Sequence, residues 1–298
     1  MRAVYERADK ACGTYGQSCG KLVYIASIGT VGSRITKQLS AVATPALAAS
    51  RNGDGANGVV FDWEDHKTWE NPFKAAAKAS KKGGDEMTRN SGSDSEIKSV
   101  FLLAPPMLDS APIMMEFVDF ARQRGAHRFV LLSASAIEAG GPAMGKIHAY
   151  LRELGCRCEV DWAVLRPTWF RQNIAEQETH LKPLREESKL YSATGEVKIP
   201  WALTRKELPN TEFVVLGPQL LSYHNLAEIL TELLGRKIVH SLGMPENYAR
   251  MMSSLDTAIE VGSENRVNDV VPSVTGCAPR PFREFAESVK SVWEPTVA

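Results

Sequence analysis

The sequence predicts an α/β protein with a mostly parallel β-sheet, and two observations support this prediction. Short apolar runs recur along the chain between segments of helical periodicity. The runs 128–135 and 164–170 both end in small polar or ring-bearing residues, as buried parallel strands do beside a site. Ligands of open α/β sheets bind beyond those strand ends. We therefore expect these residues along one rim: Ser133, Ser135, Arg166, Thr168 and Trp169.

Strand and helix patterns alternate along most of the chain. Strands are predicted at 22–26, 45–49, 59–61, 100–104, 213–216 and 237–240, and within the apolar runs 128–135 and 164–170. Helices are predicted at 29–39, 113–124 and 226–234, the last ended by Gly235, with further helix in the last sixty residues. A polar insert at about 81–95 is expected to be a disordered surface loop. Repeated strand–helix units of this length predict a Rossmann-type, doubly wound parallel sheet.

Three regions follow from this pattern. Residues 1–20 form a polar leader that we expect to be poorly ordered, and residues 21–190 form the Rossmann domain. Residues 191–298 form a small C-terminal α/β region for substrate, which is not expected to be an independent domain.

Composition excludes several functional classes. The formal net charge is zero, which argues against a nucleic-acid partner. No apolar run reaches the length of a membrane span, and the charged first twenty residues do not resemble a secretory signal. Five cysteines without a ligand spacing, and six scattered histidines, argue against a metal site. We expect a cytoplasmic protein.

The first strand–helix turn contains Gly29, Thr30 and Gly32, where a dinucleotide fold places glycines so that backbone amides approach a pyrophosphate. The first glycine of that pattern is missing, and an ordinary tight turn is the alternative. After the second strand, Ser50 and Arg51 can grip a ribose 2′-phosphate, which favours NADP over NAD. The alternative for Arg51 is a solvated loop arginine.

Other candidates follow the next strands. Asp62 and Trp63 can flank an adenine, although core packing is an alternative for Trp63. An apolar pocket for a flat cation can form from Met107, Trp169, Phe170 and Tyr191, each of which can equally belong to the core. Asp109 can balance a cationic substrate or cap the helix that follows it.

A tyrosine–lysine pair is absent. Short-chain reductases protonate a carbonyl oxygen with a tyrosine whose pKa is lowered by a lysine four residues later. Tyr150 has no such lysine, and Lys146 follows Pro142 at that spacing. An iminium ion already carries the positive charge, so its reduction needs no proton donor. The missing pair therefore indicates a C=N⁺ substrate.

Several motifs resemble the fungal ergot-alkaloid dehydrogenases, the festuclavine and agroclavine dehydrogenases, which are NmrA-like atypical short-chain dehydrogenases. These motifs are LAPPM at 103–107, FVDFA at 117–121, RFVLLSAS at 128–135, GGPAMG at 140–145, VLRPTWF at 164–170, YSATG at 191–195 and ENRVND at 264–269. The resemblance implies an NADP(H)-dependent oxidoreductase acting on a C=N bond. Its substrate would be the iminium of cyclised chanoclavine-I aldehyde, reduced to a tetracyclic clavine in alkaloid biosynthesis. Glutathione or an upstream pathway enzyme are candidate partners besides the alkaloid.

The resulting hypothesis assigns no catalytic residue, because hydride positioning alone is required. The cofactor-binding candidates are Gly29, Thr30, Gly32, Ser50, Arg51, Asp62, Trp63, Ala104, Pro105, Ser133, Pro167 and Thr168. The substrate-binding candidates are Met107, Asp109, Ser135, Trp169, Phe170 and Tyr191.

The chain also departs from the family pattern. Thr30-Val31 replaces the usual Lys-Thr, and family helices are missing near 201–203 and 240–242. These departures keep open a non-catalytic NmrA-like NADP(H)-binding redox sensor and an impaired paralogue. A reductase of another natural-product scaffold also remains an alternative.

Overall fold

The computed structural model describes residues 21–25, 30–41, 43–55, 57–81, 97–107, 109–192, 199–200, 210–242 and 264–294. The leader 1–20, residues 82–95 of the polar insert and Gly29 lie outside these ranges, as do residues 201–203 and the segment that follows Leu242.

The chain divides into two compact units. The first is Met1–Ser133, Ile137–Leu165 and Glu207–Glu212, and the second is Ala134–Ala136, Arg166–Lys206 and Phe213–Ala298. The chain thus crosses from one unit to the other several times, whereas the sequence prediction places a single boundary at residue 190.

The first unit alternates strands and helices. Its strands are β1 (Lys21–Ile25), β2 (Ala46–Ser50), β3 (Gly58–Val60), β4 (Ile97–Leu102), β5 (Arg128–Leu132) and most of β6 (Asp161–Pro167). Its helices are α1 (Thr30–Ala41), α2 (Asn71–Lys81), α3 (Ala111–Arg122) and α4 (Met144–Cys156).

These strands form a sheet whose order is β3-β2-β1-β4-β5-β6, with β9 (Thr211–Val215) beside β6. The pairs from β3 to β6 are all parallel, with Leu102 opposite Leu131 and Phe129 opposite Trp162. The order reverses between β1 and β4, as in a Rossmann sheet, so the predicted α/β class is confirmed.

The core of this unit is centred on Phe117. Helix α3 buries Met114, Phe117, Val118 and Ala121, the i, i+3, i+4, i+7 stripe of an amphipathic helix. Other aromatic rings meet Phe117 edge-on, with centroids 5.2 Å away for Phe61, 5.4 Å for Trp63 and 5.3 Å for Trp69. Such pairs each add about 0.5–1.5 kcal/mol beyond their buried area.

The second unit is smaller in strand content and has its own core. Its helices are α5 (Asn173–Glu176), α6 (Glu178–Glu186), α7 (Tyr223–Leu234), α8 (Val270–Thr275) and α9 (Phe282–Ser288), followed by a 3₁₀ turn at Lys290–Trp293. Strand β7 (Lys189–Ser192) pairs in parallel with β11 (Val239–Leu242), and β8 (Ile199–Pro200) pairs antiparallel with β10 (Leu220–Leu221).

Helix α7 shows why this unit folds locally as it does. Its N-terminus has a capping box, in which Ser222 and Asn225 each bond the other's backbone, and its C-terminus is Gly235 at φ +64°. The predicted stop at Gly235 is confirmed. The helix begins at Tyr223, three residues before the predicted start, because Ser222 supplies the cap.

Candidate functional site

The end of β2 is a tight turn that presents an arginine. The Ser50 side chain is buried, and its Oγ accepts a hydrogen bond from the Gly53 amide at 3.1 Å. Gly58 closes the turn, where a Cβ would lie 2.0 Å from the Gly53 carbonyl oxygen. Arg51 is exposed and has no ion-pair partner among the described residues. Its guanidinium is therefore available to an anionic group such as a phosphate.

The loop after β3 is fixed by its own side chains. Thr68 Oγ1 accepts from the Asp62 amide at 2.8 Å, and Trp69 Nε1 donates to the Asp62 carbonyl at 3.1 Å. Asp62 Oδ1 in turn accepts from the Glu64 amide at 3.1 Å. The Trp63 ring is buried between Phe61 and Phe117, so the structure places it in the core, the alternative considered above.

Beyond β4 the chain makes a short turn and then an ion pair. Ala104 packs against the core, and the Pro105 carbonyl accepts from the Met107 amide at 2.8 Å. Asp109 accepts from Lys146 Nζ at 2.8 Å and from the Ala111 amide at 3.3 Å. The hydrogen bond from Lys146 lowers the pKa of Asp109. Asp109 thus helps to start α3 and is already paired with a cation.

Ser133 follows β5 with an unsatisfied hydroxyl. Its amide donates to the Leu165 carbonyl at 2.7 Å, which holds the residue at the carboxyl end of the strand. The side chain is 7% exposed, and its Oγ has no hydrogen-bond partner in the described residues. A buried hydroxyl without a partner is unfavourable by about 1–3 kcal/mol, so this atom marks a place where a ligand can bond.

The glycine turn is described only in part. Gly29 lies outside the described residues, Thr30 begins α1, and Gly32 is buried in the first turn of that helix. The Gly32 carbonyl accepts from Thr36 Oγ1 at 3.1 Å.

The hydroxyl of Tyr150 is committed to another partner. It donates to Asp119 Oδ1 at 2.5 Å, on the neighbouring helix α3. Burial, followed by this hydrogen bond, raises the pKa of Tyr150 to about 12. Tyr150 is therefore a weak acid, and Lys146 is paired with Asp109, so these two residues do not form the acid pair of a ketone reductase.

In the second unit, Ser135 is the centre of a buried polar cluster. Its Oγ donates to Glu264 Oε1 at 2.7 Å, its carbonyl accepts from Arg166 at 2.8 Å, and its amide donates to the Pro167 carbonyl at 2.9 Å. Thr168 follows Pro167 in the chain and is 6% exposed. Its Oγ1 has no hydrogen-bond partner in the described part of the molecule.

The aromatic candidates of this unit are only partly buried. Trp169 packs against the core of α5–α7, and Phe170 is half-buried. The Tyr191 hydroxyl donates to Glu187 at 2.9 Å, and Lys189 lies 5.8 Å from the centre of its ring. Tyr191 therefore has polar partners of its own.

The structure brings together Ser135, Pro167 and Arg166, and it adds Glu264, which was not selected from the sequence as a site residue. Glu264 lies in the motif ENRVND quoted above, so its position was visible, but no local pattern indicated that it is buried. Where the chain is described, no three His, Cys, Asp or Glu side chains cluster as metal ligands would. No described helix is long and apolar enough to cross a membrane.

Comparison with known proteins gives close relatives in sequence. No protein-family model matches the chain. Festuclavine synthase II of Penicillium roqueforti is 38% identical over 294 residues, covering 89% of this chain and 96% of the relative. Agroclavine dehydrogenase of Claviceps fusiformis is 37% identical over 294 residues with the same coverage.

A solved structure shares the fold. The Citrobacter triphenylmethane reductase complexed with NADP(H) superimposes with a TM-score of 0.66, covering 90% of this chain and 99% of that chain at 17% identity. This likeness supports the Rossmann architecture independently of the sequence motifs. On the strength of its sequence relatives, the chain belongs to the ergot-alkaloid oxidoreductases, the family of the festuclavine synthases and agroclavine dehydrogenases.

Proposed function

We propose that this protein is an NADP(H)-dependent reductase of the iminium formed when chanoclavine-I aldehyde cyclises, and that its product is a tetracyclic clavine. The observation that carries the proposal is the 38% identity to a festuclavine synthase over nearly the whole of that relative. The alkaloid is the small-molecule partner in this proposal.

The first unit has features that fit a bound NADP(H). Arg51 is exposed after β2, where a Rossmann fold meets the ribose, and no described residue is its counter-ion. The buried hydroxyl of Ser133 at the end of β5 has no hydrogen-bond partner among the described residues, which suits a carboxamide or ribose group. The NADP(H) complex of the triphenylmethane reductase, which has the same fold, supports this choice of cofactor. Bound NADPH would supply the hydride that reduces the C=N⁺ bond.

The hydrogen bonding of the Tyr150 hydroxyl favours an iminium substrate over a ketone substrate. A ketone needs a proton at its oxygen as hydride arrives, and Tyr150 is unsuited to donate one because Asp119 accepts its hydrogen bond and its pKa is raised to about 12. An iminium nitrogen needs no proton. The protein's own residues then have to bind and orient the two reactants and exclude water.

In the second unit, we propose that Trp169, Phe170 and Tyr191 supply part of the surface that receives the alkaloid. Trp169 and Phe170 are only partly buried, so each keeps ring surface for a flat polycycle. The hydroxyl of Tyr191 is oriented by Glu187, which leaves its ring rather than its oxygen as the contact.

The test is to mix purified protein with NADPH and chanoclavine-I aldehyde and to follow NADPH absorbance and products together, with and without glutathione. We expect NADPH consumption with formation of a clavine, and slower consumption of NADH. Tight NADPH binding without consumption would contradict the proposal and favour a redox sensor. Failure to bind NADPH would contradict it and favour an impaired paralogue.

A further inference from the structure

The second unit contains a buried carboxyl group that has one hydrogen-bond partner among the residues that the structure describes. Glu264 is 1% exposed, and its Oε1 accepts from Ser135 Oγ at 2.7 Å. Its Oε2 is buried with no hydrogen-bond partner among the described residues. A carboxylate carries about four acceptor sites, so most of its capacity is unused.

Glu264 forms no ion pair within the described residues. The buried guanidinium of Arg166 belongs to the same cluster, and its bonds include those to the carbonyls of Ala134 and Ser135. Buried carboxylates are strongly unfavourable unless a cation or several donors balance them. No described cation is paired with Glu264, so its unpartnered oxygen can receive a positively charged group.

A second unsatisfied polar atom belongs to the same part of the unit. Thr168 Oγ1 is buried and has no hydrogen-bond partner in the described ranges, and the Thr168 amide donates to the Val215 carbonyl at 3.2 Å. The segment 264–269 bonds to Val214, the residue before Val215 in β9, because Asn268 Nδ2 donates to the Val214 carbonyl at 2.7 Å. Ser135, Thr168 and the Glu264 segment are thus joined through hydrogen bonds to β6 and β9.

We propose that Glu264 supplies the counter-charge for the positively charged nitrogen of the alkaloid, and that Ser135 is a positioning residue that orients its carboxylate. This inference rests on the proposed function, since an iminium substrate and a protonated tertiary-amine product both carry that charge. It assigns to Glu264 the role that Asp109 was expected to have, because Asp109 is already paired with Lys146.

The proposal has a kinetic signature that a structural role for Glu264 would not have. Hydride transfer removes the positive charge from the C=N⁺ group, so a nearby carboxylate stabilises the bound cation more than the transition state. Removing the carboxylate should therefore raise KM and leave kcat unchanged or slightly higher.

The experiment compares the Glu264→Gln variant with the wild-type protein and with a control variant, Glu287→Gln. The first variant keeps an oxygen that can accept from Ser135 but loses the charge, and the second makes the same change at an exposed residue of α9. Binding is measured with festuclavine, protonated at neutral pH, and with its neutral lactam analogue. Turnover is measured with NADPH and cyclised chanoclavine-I aldehyde, and Tm controls for folding.

We expect Glu264→Gln to weaken festuclavine binding and to raise KM by roughly ten- to one-hundred-fold, as for a lost bond to a charged group. Lactam binding and the Glu287→Gln variant should stay near wild type, and the Tm of Glu264→Gln should equal or exceed that of the wild type because a buried charge is removed. Ser135→Ala should give a smaller loss, because the carboxylate remains but is less well oriented.

Unchanged festuclavine affinity in Glu264→Gln, or an equal loss of lactam and festuclavine binding, would overturn the inference. So would wild-type protein that binds no festuclavine. If the wild type binds festuclavine through Glu264 but does not consume NADPH, the proposed reaction fails and the cation site stands. If the wild type consumes NADPH with the alkaloid and Glu264→Gln has the same KM and kcat, the proposed reaction stands and the cation site fails.

Discussion

Acid should destabilise this protein partly through His180, and the size of the effect can be worked out. His180 lies in α6, is 2% exposed, and has no hydrogen-bond partner for either ring nitrogen among the described residues. The centre of its ring lies 6.2 Å from that of the Tyr223 ring. Burial lowers the pKa of His180 from 6.5 to about 4.

The sign of the effect follows from where protons bind. The unfolded chain binds a proton at His180 near pH 6.5, whereas the folded protein does so only near pH 4. The stabilising contribution is therefore complete above pH 6.5 and is lost as the pH falls towards 4. The linkage relation gives a loss of about 2 kcal/mol between pH 7 and 5, and about 3 kcal/mol by pH 4. This is a large part of a typical stability of about 5–15 kcal/mol.

Replacing His180 by Phe removes the titration while filling the apolar site. Urea unfolding, followed by circular dichroism and tryptophan fluorescence at pH 7, 5 and 4, gives the free energy of unfolding of each protein. We expect the stability difference between wild type and His180→Phe to shift in favour of the variant by about 2–3 kcal/mol over this range. His224→Gln, at an exposed histidine of α7, serves as the control and should not change the profile. A difference that is independent of pH would refute the reasoning.

Three further predictions concern the first unit. Tyr150→Phe should change kcat/KM by less than about threefold, whereas loss of a general acid would lower it by about a hundredfold or more. The same variant should lower the free energy of unfolding, measured in urea, by about 1 kcal/mol because the bond to Asp119 is lost. Ser133→Ala should weaken NADPH binding by about three- to tenfold in a fluorescence titration without lowering Tm, because the hydroxyl has no protein partner to lose; a lower Tm with unchanged affinity would contradict this. Arg51→Gln should reduce the preference for NADPH over NADH by about ten- to one-hundred-fold in Kd, and an unchanged preference would remove Arg51 from the 2′-phosphate site.

Much of the fold could be predicted because strands and helices are local patterns. Strand β5 begins at Arg128, as predicted, and β2 lies within one residue of its predicted bounds. Strand β4 begins three residues before its predicted start, because Lys98 and Ser99 interrupt the apolar run although the strand is paired with β1 and β5. Helix α2 was missed, since alanine and lysine dominate its sequence and Phe73 is its one large apolar residue.

The candidate site was predictable in part. Residues at strand ends, such as Arg51 and Ser133, could be selected because the carboxyl ends of parallel strands are where ligands bind. The contacts that other candidates make could not be predicted. The sequence does not indicate that Lys146 forms an ion pair with Asp109, or that Trp63 is enclosed by Phe61 and Phe117.

The sequence by itself determined the α/β class, the alternation of strands and helices and the absence of a tyrosine–lysine pair, because periodicity and spacing lie in neighbouring residues. Only the tertiary structure decided which polar groups are satisfied. Tyr150 meets an acceptor 31 residues away, and Ser135 meets Glu264 across 129 residues. Contacts between such distant positions arise from the packing of the whole chain, and no local pattern records them.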